Sequence, residues 1–517
     1  LHIKTRESDV GLSAAILGMG VLEDFSMEKL STAPMRLTLT APKLNFNDIT
    51  TYVPPMEMLN GTIATELEAS GTFDELFIKK LNINYNNTLL KAKAKLNNLL
   101  DADKMNFDFS ITDSYIDPSD PNKLLRNLGL PEYKEFGVLR VDTLNYRGGP
   151  LDFKTSFSFR TDKGSLNGNA SIDLRPEEMI YDAKLFTKNL DLASFISIPT
   201  DMNSEINMSG VGFDPQKMKL DLSIDATASR FGEKYLKNIN VNTFTENGTT
   251  KTTLNISSDS TNANILANID FKNLNDPSYE VKGSLSGIDL ASLLNIESLN
   301  SNLNLTIDAS GQGFNPDSMD LFLVTDIQNS NIFDFDIDST RLIMDVRRND
   351  NGNKIINVIS DIADLTISGD YQITSLGKVF AREGEIIRAA MSEKLNPVFS
   401  PDLSDSLNQQ NLAEEEYIPV KDFSLEYLLD FKDAMKINLG KDQIALDGQI
   451  DGKMKSLNDS LTVNLNSNFD YLKYWNEKDV YFIVNSKLTC DLSNHLADGY
   501  TGNLAAVVNF NADRIYA

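Results

Sequence analysis

Met218-Lys219-Leu220-Asp221-Leu222-Ser223-Ile224-Asp225-Ala226 puts an apolar side chain at every second position and a polar one between each pair. In an extended chain successive side chains point to opposite faces, so this stretch can bury one face of a strand while water wets the other. The same alternation recurs far along the chain in both directions. Met105, Phe107, Phe109 and Ile111 alternate with Asn, Asp and Ser, and so do Phe157 and Phe159, Leu303, Leu305, Ile307 and Ala309, and Leu461, Val463 and Leu465. Half-buried strands belong to antiparallel sheets, because strands of an all-parallel sheet are covered on both faces.

Turn residues separate many of these runs: Asn247-Gly248, Asp350-Asn351-Gly352 and Asp447-Gly448 each predict a hairpin connection. The fold expected is therefore mainly β, a long antiparallel meander. Roughly 25 strands at about 4.8 Å spacing form a ribbon on the order of 120 Å, and an open twisted sheet of that length must curl or split. Curling with every apolar face inward gives an open groove, a β-taco; splitting gives a string of sandwiches.

Internal repetition favours the groove. Asp191-Leu192-Ala193-Ser194 returns 98 residues later as Asp289-Leu290-Ala291-Ser292, and Ser209-Gly210-Val211-Gly212-Phe213-Asp214-Pro215 returns 101 residues later as Ser310-Gly311-Gln312-Gly313-Phe314-Asn315-Pro316. A fainter copy, Ala69-Ser70-Gly71-Thr72-Phe73-Asp74, follows a short helix expected around residues 48–53, and a further short helix is expected over 120–128. Each module then reads as a short helix entered at Asp, followed by several strands. One longer amphipathic helix is predicted over Ser375–Leu395, where Leu376, Val379, Phe380, Ile386, Ile387, Ala390, Met391 and Leu395 recur at helical spacing behind Ser375 as N-cap. Pro397, Pro401 and Glu414-Glu415-Glu416 mark 396–417 as a loop. The expected organisation is a β segment over 1–45, β-modules over 46–113, 114–188, 189–286 and 287–372, helix and loop over 373–417, and a last β-module over 418–517.

The 517 residues carry 48 basic and 74 acidic side chains, a net charge of −26, and no basic run longer than a pair such as Arg347-Arg348. Nucleic-acid binding needs a basic footprint, so that class is excluded. Anionic membrane surfaces are repelled as well, and any lipid contact has to be apolar and internal. Cys490 is the single cysteine, which excludes a disulfide framework and a cysteine-based metal cage. Neither a leader nor an apolar run long enough to span a membrane is found, and a chain starting at Leu1 reads as processed or truncated.

No catalytic, cofactor or metal motif emerges. With His2 and His495 as the only histidines, both expected on the surface, a Ser-His-Asp triad or multi-histidine metal site would rest on a chain end. Gly283-Ser284-Leu285-Ser286-Gly287 is no nucleophile elbow, since leucine stands at its centre, and reads instead as a bulge or turn. Asp334, Asp336 and Asp338 lack the Gly and terminal Glu of a calcium loop and read as a solvated strand face, and 349–354 reads as a hairpin turn. The expectation is a protein that is not an enzyme.

What remains is the apolar stripe itself. As ordinary core it needs no function; repeated over the chain and left without long helices to cover it, it offers acyl chains a sheltered path. Its expected lining is Phe107, Phe109, Phe157, Phe159, Leu220, Leu222, Leu303 and Leu305. Taken together, Asn189–Phe195 with Ser209–Pro215, Gly287–Leu294 with Ser310–Pro316, the run from Phe136-Gly137 to Tyr146-Arg147-Gly148-Gly149-Pro150-Leu151-Asp152-Phe153, and Tyr235–Ile239 before a strand pair resemble the TamB group of the AsmA-like proteins in its Bacteroidota form. The resemblance covers about residues 30 to 375. It implies a periplasmic β-groove, anchored at the inner membrane through a helix that this chain lacks, and meeting an outer-membrane barrel of the TamA or BamA type. It also implies a role in moving phospholipid between the membranes and in outer-membrane assembly. A scaffold or adhesin-like array, recognising partners through exposed sheet edges rather than conducting lipid, is the alternative.

Overall fold

The computed structural model describes residues 1–17, 31–48, 50, 58–125, 134–232, 234–291, 301–332, 335–376, 422–439, 442–458, 460–476, 479–495 and 505–516. It is mainly β. Among the described residues 27 strands belong to one antiparallel sheet that is not closed into a barrel. The described residues up to Asn262 form one compact unit and those from Ala263 onward a second.

The first unit holds β1 (His2–Lys4), β2 (Asp9–Ile16), β3 (Met35–Asn45), β4 (Thr62–Gly71), β5 (Glu75–Tyr85), β6 (Thr88–Asn97), β7 (Asn106–Ile116), β8 (Leu139–Gly148), β9 (Asp152–Thr161), β10 (Gly164–Asp173), β11 (Ile180–Leu190), β12 (Thr200–Val211), β13 (Lys219–Phe231), β14 (Lys234–Glu246) and β15 (Thr249–Ser257). Each strand pairs antiparallel with the next in the chain. After β16 (Asn262–Asp270), the second unit runs through β17 (Ser278–Ile288), β18 (Ser301–Gln312), β19 (Asp320–Ile332), β20 (Phe335–Arg348), β21 (Lys354–Ser360), β22 (Ala363–Asp370), β23 (Phe423–Leu439), β24 (Asp442–Leu457), β25 (Ser460–Trp475), β26 (Val480–His495) and β27 (Ala505–Tyr516). From β17 to β27 the pairing again follows chain order.

Local chemistry accounts for the connections. Asn247 and Gly248 both have positive φ and close the β14–β15 hairpin, the geometry that Asn-Gly adopts most easily. Residues 349–354 turn between β20 and β21 as expected, with the Gly352 amide donating to the Asn349 carbonyl. Asp447-Gly448 is a correction: it lies inside β24, where the register shifts against β25 and Gly448 takes a φ of 146°. A bulge needs the same backbone freedom as a turn, so the dipeptide alone cannot separate the two. The Gly283–Gly287 stretch is a bulge in β17.

Short helices occur where Asp enters a module, at Asp120–Leu124 and Ala193–Ile196, with a 3-10 turn at Phe46–Asp48. The two repeat copies share one hydrogen-bond pattern. The Asp191 carboxylate accepts from the amides of Ala193 and Thr200 while Thr200 Oγ1 accepts from the Leu192 amide. Asp289 does the same for Ala291 and Ser301, and Ser301 Oγ for Leu290. A helical turn is present over 373–376, and the remainder of the helix predicted over Ser375–Leu395, like the loop over 396–417, lies outside the described residues. No helix among the described residues is long and apolar enough to cross a membrane.

Candidate functional site

Side chains opposite each other across a ladder share a face, so the register alone sorts the sheet into inner and outer rows. One row crosses fourteen strands of the first unit, from β2 to β15: Leu12, Leu39, Leu67, Leu81, Ala92, Ile111, Leu144, Phe157, Gly168, Leu185, Ile206, Ile224, Val241 and Leu254. Thirteen of the fourteen carry an apolar side chain, and all fourteen are half-buried. The adjacent row includes Leu37, Ile78, Phe109, Tyr146, Met208 and Leu222. The next includes Leu76, Leu96, Phe107, Phe153, Ile172, Tyr181 and Leu220. On the opposite face the row Lys93, Ser110, Asn145, Ser156, Asn169, Lys184, Asn207, Ser223, Asn242 and Thr253 is polar at every position.

The second unit repeats the arrangement. Val281, Ala309, Leu323, Met344, Val358, Leu365, Leu429, Ile450, Ser467, Leu488 and Phe510 form one row across β17 to β27, broken only by Ser467. Beside it runs Leu321, Val346, Ile356, Ile367, Tyr427, Leu465, Cys490 and Val508.

The eight lining residues expected from the sequence can now be placed. Phe107 and Leu220 share one row of the first unit, Phe109 and Leu222 the next, Phe157 a third, and Phe159 a fourth with Val141 and Leu166. Leu305 stands between Leu285 and Ile327 in the second unit, and Leu303 opposite Ile288. All eight are half-buried.

Among the described residues neither a second sheet nor a helix layer covers these rows. The strands' principal contacts are with their ladder neighbours, and the largest side chains with almost no exposure are Leu461, Thr245, Asp120, Ser229 and Ser456, four of them polar. Dry apolar clusters are local. Phe46 packs with Ala41, Leu44, Ile63 and Tyr85, and Leu376 with Tyr371, Phe423, Leu425, Met454 and Leu461; both Phe46 and Leu376 come from helical turns.

Sequence reasoning missed the device that keeps the rows in phase. Asp113, Ala228, Asn329 and Asn485 have positive φ inside strands, and each precedes a buried serine: Ser114, Ser229, Ser330 and Ser486. The bulge lets two consecutive apolar runs of opposite parity face the same side. The serine repairs the ladder: Ser229 Oγ accepts from the Asn203 amide at 3.0 Å and donates to the Thr227 carbonyl, and Ser330 Oγ treats Asn304 and Gln328 alike. The signal was available, since Ser229 and Ser330 lie 101 residues apart, the offset of the Gly-rich repeat.

No group of three or more metal-ligating side chains is found among the described residues. His2 is exposed and hydrogen-bonds Asp9 at 2.6 Å. Asp334 lies outside the described residues. No protein-family model, curated protein or solved structure matches this chain.

Proposed function

We propose that the protein carries phospholipid acyl chains along the apolar face of its sheet, as a periplasmic bridge between inner and outer membranes in the manner of the TamB-like proteins that its repeats resemble. The observation that supports this most directly is the apolar row across fourteen strands, interrupted only at Gly168, half-buried throughout and uncovered among the described residues. An ordinary sandwich hides such rows against a second sheet, and contiguous apolar surface left open marks an interaction site. The polar outer rows and the charge of −26 keep the body soluble while the inner face remains free for lipid tails. In this reading an inner-membrane anchor and a TamA- or BamA-type barrel are partners, and the chain performs no catalysis.

The test is mass spectrometry of lipids extracted from the purified chain, with photocrosslinkers at Phe109, Leu222 and Leu305 and a control at Ser223 on the polar face. Phospholipid crosslinked from the three apolar positions and absent from Ser223 is the expected result. Lipid-free protein, or equal labelling of both faces, overturns the reading.

One observation favours the scaffold alternative: β27 pairs only with β26 among the described strands, and it exposes Val507, Val508, Phe510, Ile515 and Tyr516. An exposed apolar edge strand can take an added strand from a partner. Capture of an outer-membrane barrel by protein free of lipid is the outcome that decides for it.

A further inference from the structure

Hydroxyl groups interrupt the apolar rows in both units, and their surroundings differ. In the first unit they satisfy one another: Thr187 meets Ser204 at 2.8 Å, Thr243 meets Thr252 at 3.0 Å and Thr245 meets Thr250 at 2.9 Å. In the second unit Thr325 and Thr340 are 7% and 5% exposed, and neither Oγ1 has a hydrogen-bond partner among the described residues.

The ladder brings these two threonines together. Thr325 on β19 stands opposite Leu342 of β20, and Thr340 of β20 stands opposite Ile327 of β19, so they are diagonal neighbours on one face. Ile307 and Leu305 flank them from β18. Diagonal neighbours on adjacent strands lie about 7 Å apart, a span that one small bifunctional group bridges once the flanking side chains turn aside, since both hydroxyls are closed to solvent. A buried hydroxyl without a partner is costly, and native chains keep one where something else supplies the acceptor. That acceptor has to arrive on an apolar body, because the surrounding side chains are leucine and isoleucine. It also has to be neutral, because among the described residues the patch holds no cation to compensate a phosphate or a carboxylate.

We propose that Thr325 and Thr340 donate hydrogen bonds to the ester carbonyls of a diacyl glycerophospholipid whose chains lie along the adjoining apolar rows. The inference rests on the lipid-carrying reading above and deepens it: the pair is a resting point that selects ester-linked lipid on a face otherwise indifferent to chemistry.

The experiment compares a diacyl phosphatidylcholine with its dialkyl ether analogue, which has the same headgroup and chains but no carbonyl, in competition for the intact chain. Unsubstituted protein should hold the ester form about ten- to a hundredfold more tightly, the value of two hydrogen bonds. The double variant Thr325→Val, Thr340→Val, which keeps the side-chain shape, should bind ester and ether equally, with a Tm no lower than that of the unsubstituted chain. Equal binding of the two lipids by the unsubstituted chain overturns the site and leaves the lipid-carrying reading standing; binding of neither overturns both. A free fatty acid competing as well as the diester overturns the diester assignment.

Discussion

Three glycines of the inner face lie under tyrosine rings: Gly210 under Tyr181, Gly311 under Tyr279 and Gly452 under Tyr427, each pair directly opposed across the ladder. A Cβ on any of them would come within 2.5 Å of the tyrosine hydroxyl and closer still to a backbone carbonyl of the next strand. The ring replaces the side chain that the glycine lacks. Phe213 and Phe314 then stack on Tyr181 and Tyr279 at 5.0 and 5.5 Å, which explains why Gly, Gly and Phe recur together in the repeat. Gly311→Ala should therefore cost about 1–3 kcal/mol by overpacking, read as a lower urea midpoint; an unchanged midpoint would show that the ring has room to move. Asp191 makes a second prediction at this scale. Lys163, hydrogen-bonding it at 2.8 Å, and the amides of Ala193 and Thr200 hold its carboxyl below the ordinary carboxylate value. Its stabilising contribution is thus present above about pH 4 and lost as pH falls through the lowered value. Asp191→Asn should be less stable than the unsubstituted chain at pH 7, and the difference should shrink in acid; a gap that is constant with pH would rule out a role for the charge.

At the scale of the element, the bulge serines set which side chains face inward. Replacing Ser229 by Ala leaves the Asn203 amide without its acceptor at a buried position, a loss of about 1–3 kcal/mol. Hydrogen exchange at the Asn203 amide should accelerate, with little change at amides of β8 and β9; exchange that rises evenly over the unit would mean the serine acts only through global stability. This element also shows what could be read in advance. Alternation such as Leu220, Leu222, Ile224 and Ala226 was legible because period two is written directly in the chain, and the Asp-Leu-Ala-Ser repeats were legible because both copies need one carboxylate at one spacing. The bulges were not. A residue with positive φ followed by serine, whether Asp113-Ser114 or Ala228-Ser229, has no signature of its own in the sequence, and only the partner strand reveals that parity has switched. For the same reason Asp447-Gly448 reads as a turn and folds as a bulge. The orphan hydroxyls of Thr325 and Thr340 were hidden more deeply, because what marks them is the absence of a partner in space.

For the molecule as a whole, contacts among the described residues run mainly between ladder neighbours, so stability is close to a sum of strand-to-strand terms, as in repeat proteins. Such a chain has no single core whose loss unfolds everything at once, and two-state unfolding is not expected. Trp475, the single tryptophan, ends β25 in the second unit and reports on that unit alone. Ile224→Asp puts a charge in the middle of the longest apolar row of the first unit, where both ladder neighbours, Ile206 and Val241, are apolar. In urea this variant should lose far-UV ellipticity at a lower concentration than the unsubstituted chain, while the Trp475 fluorescence midpoint stays in place. The same substitution should abolish lipid crosslinking from Leu222 and spare that from Leu305, because the two positions lie on separately stabilised stretches of ladder. If both spectroscopic transitions move together, the units unfold as one body, and the repeat-like additivity on which the separate lipid contacts are argued does not hold.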